Sequence, residues 1–239
     1  MILLLSGEGK TDIGECGNQS RYCDVESFVP GPMAIFIDQL VEKKLQFSCL
    51  ENGYVRFINE HALAAIGKGL AKKRRPSMPS KKKRKETLYF ELNARALAVK
   101  AKLLMAELKD EVIAVLFRDA DGTASTTRGL YETKRDSMLR GFAIEEYVKG
   151  VPMVPKPKSE AWILCAAKEN PYNHCDQLEG MSGNDNSSNP LKQQLDNALG
   201  EHVGAIGLAN MARDGDFDVH RIDMPSMNWF KDCLDAVLS

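Results

Sequence analysis

The chain has 239 residues, 44% of them hydrophobic and 27% charged, with a formal net charge of −1. That is enough apolar material for one domain of ordinary size with its own core, and it excludes a disordered or fibrous chain. No apolar stretch approaches the roughly 18 residues that cross a bilayer, and the first residues lack a basic, signal-like start; a cytoplasmic protein is expected.

In chain order, residues 1–5 read as a buried strand with a tight exit at Gly7-Glu8-Gly9. A loop rich in Gly, Cys and Asn runs to about residue 29. Pro32 suits a helix start, and Ile37, Leu40, Val41 and Leu45 give residues 33–45 an amphipathic helical spacing. Phe47 to Ile58 is strand-like, with a turn at Glu51-Asn52-Gly53. Residues 60–72 form a short helix that runs into a basic block.

That block, residues 72–85, holds nine basic residues (Lys72, Lys73, Arg74, Arg75, Lys81, Lys82, Lys83, Arg84, Lys85) and no acid, so a chain of net −1 carries −10 elsewhere. Its two prolines and two serines argue for an exposed loop. It repels itself and attracts polyanions. Phosphate contact is the better reading in an acidic chain, against a solvated loop without a partner. It also resembles a nuclear localisation signal. Without interleaved aromatics it predicts no base readout.

Residues 86–109 are the clearest helix, with Leu88, Leu92, Ala96, Val99 and Leu103 at spacings of three or four. Val112 to Phe117 is a continuous apolar run typical of a strand covered on both faces. Residues 129–140 read as helix, and Tyr147 to Val154 as a weaker strand ended by prolines. Ser159 is placed to cap a helix through Ala167, with Glu160 in its first turn. Residues 180–190 form a polar, flexible loop, and a short helix occupies 191–199. Val219 to Asp223 is strand-like, and Pro225-Ser226 opens a terminal helix. Alternating helices and apolar strands favour an α/β fold with a mainly parallel sheet.

Two acidic motifs follow the two strongest strands: Leu-Leu-Ser-Gly-Glu8-Gly-Lys-Thr-Asp12 and Leu-Phe-Arg-Asp119-Ala-Asp121-Gly. Open parallel sheets collect functional groups at such carboxyl ends. A hard cation such as Mg²⁺ takes one or two carboxylates and completes its shell with water and substrate phosphates. Together the motifs point to a divalent-cation site; each alone reads as a solvated loop acid or a helix cap.

These residues resemble the TOPRIM signature, a Glu after the first strand and Asp-x-Asp after the third. Asp12, four residues after Glu8, looks like the nuclease branch, which includes the OLD (overcoming-lysogenization-defect) nucleases and stand-alone TOPRIM-like phage-defence proteins. Pro155-Lys-Pro-Lys158-Ser-Glu160-Ala-Trp162 is similar to a segment of the stand-alone proteins. The resemblance covers residues 1–15 and 112–165. The chain departs from it by a long basic and helical insertion, about residues 47–110, and by Cys16 and Cys23 directly after the first motif.

The resemblance implies one TOPRIM-like domain over residues 1–239 and Mg²⁺- or Mn²⁺-dependent hydrolysis of DNA or RNA phosphodiesters in anti-phage defence. Asp119 and Asp121 would hold the first ion, with Glu8 as a ligand or as the group that handles the proton of the attacking water. Asp12 and Glu160 would serve a second ion, and Lys156 or Lys158 would neutralise phosphate charge. It also implies a separately encoded ATPase partner, since the chain has no ATPase region. A homo-oligomer is left open, and a non-catalytic binding subunit is the alternative.

Other readings rank lower. Gly7-Glu8-Gly9-Lys10-Thr11 resembles the end of a P-loop, but Leu4 stands where its first glycine belongs. Cys16, Cys23, His174 and Cys175 lack the tight pairs of structural zinc sites. The six cysteines are expected as free thiols. Trp162 and Trp229 are expected in the core.

Overall fold

Two apolar runs and their flanking helices build three layers. The computed structural model describes residues 1–72, 84–120 and 130–239, and the backbone alone at 72 and 84–87. The central sheet contains β1 (Ile2–Gly7), β3 (Tyr22–Asp24), β5 (Val55–Ile58), β6 (Val112–Phe117) and β7 (Gly150–Met153), in the order β3-β5-β1-β6-β7. β5, β1, β6 and β7 are parallel; β3 joins antiparallel at one edge. β2 (Gly14–Cys16) and β4 (Phe28–Pro30) form a separate antiparallel ribbon. The expected mainly parallel α/β architecture is therefore present.

Every side chain of β1 and β6 is buried, because helices cover both faces of these central strands. The period of two splits them cleanly. Leu3, Leu5, Ile113, Val115 and Phe117 face one core. It is shared with α1 (Pro32–Leu45), α5 (Ser159–Ala167), α6 (Leu191–Leu199), α7 (Ala205–Asp214) and α8 (Pro225–Val237). Ile2, Leu4, Val112, Ala114 and Leu116 face the other, shared with α2 (Glu60–Lys72), α3 (Arg84–Leu108) and α4 (Leu130–Ile144).

Residues 47–110 thus supply β5, which pairs directly with β1, and two helices of one layer. Residues 181–190 hold no helix or strand, and a turn there is closed by Ser187 N–H donating to the Asn184 carbonyl at 3.0 Å.

Several expectations are corrected. Only Val55–Ile58 of the stretch 47–58 is strand. The preceding turn folds around Asp38, a buried carboxylate that accepts from Ser48 Oγ at 2.6 Å and from the backbone N–H groups of Cys49 and Leu50 at 2.7 and 3.0 Å. Val219–Arg221 is a 3₁₀ turn rather than a strand; Asp218 accepts from His220 N–H and closes it. Of the expected apolar stripe of α3, Ala96 is buried, together with Ala94, Leu97, Ala98, Ala101 and Leu104, whereas Leu88 and Leu103 are exposed. Small residues let α3 and α4 close up: a Cβ on Gly141 of α4 would lie 2.7 Å from Ala94 Cβ and 2.4 Å from the Glu91 carbonyl. Trp162 is fully buried and donates to Ser226 Oγ. Trp229 is only half-buried, beneath the Arg135 guanidinium.

The free-thiol expectation is overturned at four positions. Cys16 pairs with Cys23, and Cys165 with Cys175, as disulfides; Cys49 and Cys233 are free. Sequence separations of 7 and 10 residues conceal these contacts, which strand ends and helix packing create. Alkylation of oxidised protein, denatured without reductant, is expected to label Cys49 and Cys233 alone in a peptide map. Labelling at all six positions would contradict the pairing.

Candidate metal centre

The parallel strands run β1, then β5 on one side, then β6 on the other side of β1. The order reverses between β1 and β6, and such a switch point opens a crevice at the strands' carboxyl ends. Gly7 ends β1 directly beside Phe117 at the end of β6. Both acidic motifs therefore emerge at one place.

Beyond β1 the chain turns sharply, with the N–H groups of Asp12 and Ile13 donating to the Gly9 carbonyl at 3.1 and 3.2 Å. Gly9 has φ +80°, and a Cβ there would lie 2.4 Å from Asp12 Oδ2. The Asp12 carboxylate is folded back over Gly9. Gly9→Ala is expected to cost about 1–2 kcal/mol from the left-handed backbone and to displace the Asp12 carboxylate. Chemical denaturation and Mn²⁺ titration check both effects. The turn leads into β2, so the helix that follows a P-loop's phosphate cradle is absent here.

Asp119 follows β6 by two residues. Its Oδ1 accepts from the backbone N–H of Ser159 at 2.9 Å. The residue at the N-cap position of α5 is Lys158, which makes no side-chain capping bond. The expected Ser159 cap is therefore supplied from another strand by Asp119, and the Ser159 hydroxyl instead donates to Asp12 Oδ1 at 2.5 Å and to Glu160 Oε2 at 3.2 Å.

The result is a cluster of Asp12, Asp119 and Glu160, with one carboxylate oxygen from each all within 4.8 Å of one another. Burial raises the Asp12 pKa, opposed by the Ser159 hydrogen bond and reinforced by the Glu160 charge. Lys158, almost fully buried, balances part of the negative charge: its Nζ lies 2.5 Å from Asp185 Oδ1 and 3.5 Å from Glu160 Oε1. Burial lowers the Lys158 pKa, but the Asp185 hydrogen bond and the charges of Glu160, Asp185 and Asp119 outweigh it, and the net shift is upward. Lys158 is a cation.

The donor set is all oxygen, suited to Mg²⁺ or Mn²⁺. Ligands of an octahedral Mg²⁺ lie about 4.2 Å apart when opposite and about 3 Å apart when adjacent, so the three carboxylates would draw together to share one ion. Three positions would remain for water and a phosphate oxygen.

Glu8 stands elsewhere. Its Oε2 accepts from Arg118 Nη1 at 2.7 Å, and Arg118 Nη2 donates to Glu60 Oε1 at 2.5 Å. The Tyr89 hydroxyl also donates to Glu60. Arg118 passed unnoticed in the sequence, although an arginine closing a wholly apolar strand needs acidic partners if it is buried. Asp121 and Lys73–Lys83 lie outside the described residues, as do the side chains of Lys72, Arg84 and Lys85.

A cleft of about 310 Å³ is lined by Lys10, Thr11, Glu15, Gly31, Gly204 and Ile206 among others; none of the three clustered carboxylates lines it. Among the described residues no helix is long and apolar enough to cross a membrane. No protein-family model, curated protein or solved structure matches the chain.

Proposed function

We propose that this chain is a Mg²⁺- or Mn²⁺-dependent hydrolase of nucleic-acid phosphodiester bonds, acting in the TOPRIM-like manner that its two motifs resemble. The carrying observation is convergence. Asp12, Asp119 and Glu160 come from three distant chain segments and meet at the switch point of a parallel sheet. When bound there, a divalent cation would polarise a phosphoryl oxygen and sharpen a water nucleophile. The protein's own part is to align the carboxylates, through the Gly9 turn and the Asp119–α5 contact, and to keep the Lys158 ammonium beside them, where phosphate charge develops.

The basic segment 72–85 offers phosphate contacts, so binding should weaken steeply with salt. A role in anti-phage defence, with a separately encoded ATPase, follows from the resemblance and belongs to the same proposal. The cytoplasmic location that goes with it is opposed by the two disulfides, since cytosolic thiols are kept reduced. Trapping thiols in lysed cells decides that point.

A second reading has its own support. Lys158 and the Ser159 hydroxyl already neutralise and bridge the carboxylates, as a purely structural cluster in a binding subunit would require. One assay separates the two: plasmid, single-stranded DNA and total RNA incubated with Mg²⁺, Mn²⁺ or EDTA, beside Asp119→Ala. Cleavage that depends on the cation and is lost in the variant supports the hydrolase. Salt-sensitive binding without cleavage, lost on replacing residues 81–85, supports the binding subunit.

A further inference from the structure

Arg118 follows β6 and Glu8 follows β1, each one residue beyond the strand. The Arg118 side chain is 2% exposed and held from three directions. Glu60 of α2 accepts from Nη2, and the Tyr89 and Phe90 rings of α3 lie 5.3 and 5.9 Å from the guanidinium carbon. Glu8 accepts from Nη1, and its own side chain is 62% exposed. Asp119, the next residue after Arg118, turns to the opposite face and caps α5. The same division holds after β1, where Asp12 folds back over Gly9 into the carboxylate cluster while Glu8 goes to Arg118.

We propose that Arg118 is a positioning residue that keeps Glu8 on the α2–α3 side of the sheet edge, so that the cation shell is Asp12, Asp119 and Glu160 with Glu8 outside it. This rests on the metal-site reading above. For Glu8 to become a ligand it would have to give up a charge-assisted hydrogen bond. Among the described residues, it would also leave a buried guanidinium whose Nε already lacks a hydrogen-bond partner, with Glu60 as its remaining carboxylate. Because Glu8 meets the guanidinium from its solvent side, that loss is at most about 1 kcal/mol, a factor of about five, enough to bias Glu8 away from the ion. Glu8 is thereby held at the mouth of the site, facing solvent and substrate rather than the ion.

Mn²⁺ titration in the absence of substrate tests this on five proteins: wild type, Asp119→Asn, Glu8→Gln, the double variant Glu60→Gln/Arg118→Met, and that double variant carrying Glu8→Gln. The double variant removes one positive and one negative charge together, so the net field at the site is conserved. Asp119→Asn should weaken Mn²⁺ at least about tenfold, while Glu8→Gln stays within about twofold of wild type. Freeing Glu8 in the double variant should tighten Mn²⁺ about threefold or more, and adding Glu8→Gln should abolish that gain, a coupling that pairs of contacting residues show.

If Glu8→Gln weakens binding as much as Asp119→Asn, Glu8 is a ligand and the inference is overturned while the metal site stands. If the double variant binds alike with and without Glu8→Gln, Arg118 does not position Glu8. If Asp119→Asn binds like wild type, the metal-site reading itself fails, and the inference with it. Glu8→Gln alters an exposed side chain, so it gives an answer even if the double variant does not fold.

Discussion

Asp119→Asn is expected to lower Mn²⁺ affinity at least about tenfold and cleavage by about a thousandfold, while leaving the metal-free fold intact. A cation held there would contribute several kcal/mol of transition-state stabilisation, and each 1.36 kcal/mol is a factor of ten. Asparagine keeps the Oδ1 that accepts from Ser159 N–H and removes only the charge. It also relieves repulsion among three close carboxylates, so stability in EDTA should hold or rise slightly. Asp119→Ala removes the acceptor as well and should cost about 1 kcal/mol more, the usual worth of a helix N-cap. Chemical denaturation of both variants in EDTA separates the capping role from the metal role. Equal stability of the two would show that the capping contact contributes nothing.

The second large effect is on stability, at the other face of the sheet edge. Glu60→Ala should cost about 3 kcal/mol, the lower end of the range for breaking a buried ion pair, because Arg118 is buried while Glu60 keeps 29% exposure. Glu8→Ala, on the solvent side of the same guanidinium, should cost less than about 1 kcal/mol. The two carboxylates bind one arginine at 2.5 and 2.7 Å, so the difference reports burial together with the Tyr89 hydrogen bond that Glu60 accepts.

The pH dependence follows. Burial pushes the Glu60 pKa up, but the Arg118 and Tyr89 hydrogen bonds and the Arg118 charge outweigh it, leaving it below the ordinary value of 4.5. A carboxyl whose folded-state pKa is lowered contributes stability that is complete above its unfolded value and is lost as pH falls through the folded one. Denaturation midpoints measured from about pH 6 down to about pH 3 should therefore fall more steeply for wild type than for Glu60→Gln. Parallel curves would remove Glu60 from the acid response.

Strands β1 and β6 were legible because both are covered on both faces, which leaves an uninterrupted apolar run. Helix α3 was legible as a helix but not in its orientation. Its leucines at 88, 92 and 103 dominate the periodicity, yet of that stripe Ala96 is buried, beside alanines at 94, 98 and 101, while Leu88 and Leu103 are exposed. Alanine carries little hydropathy signal, and its value lies in the close approach it permits. The cysteine pairings were illegible for a similar reason, since bonding depends on where strand and helix ends meet.

The sequence by itself determined that acids stand just past two buried strands, and that a third acid, Glu160, opens a helix. The tertiary structure alone decided which of them share a site. Neighbouring residues at a strand end project to opposite faces, so Arg118 and Asp119, adjacent in sequence, serve different layers. Arg118 meets α2 and α3 and draws Glu8 with it; Asp119 meets α5 and joins Asp12 and Glu160. Each motif is a line of residues in the sequence, and the sheet divides it into a buried salt bridge on one side and a carboxylate cluster on the other.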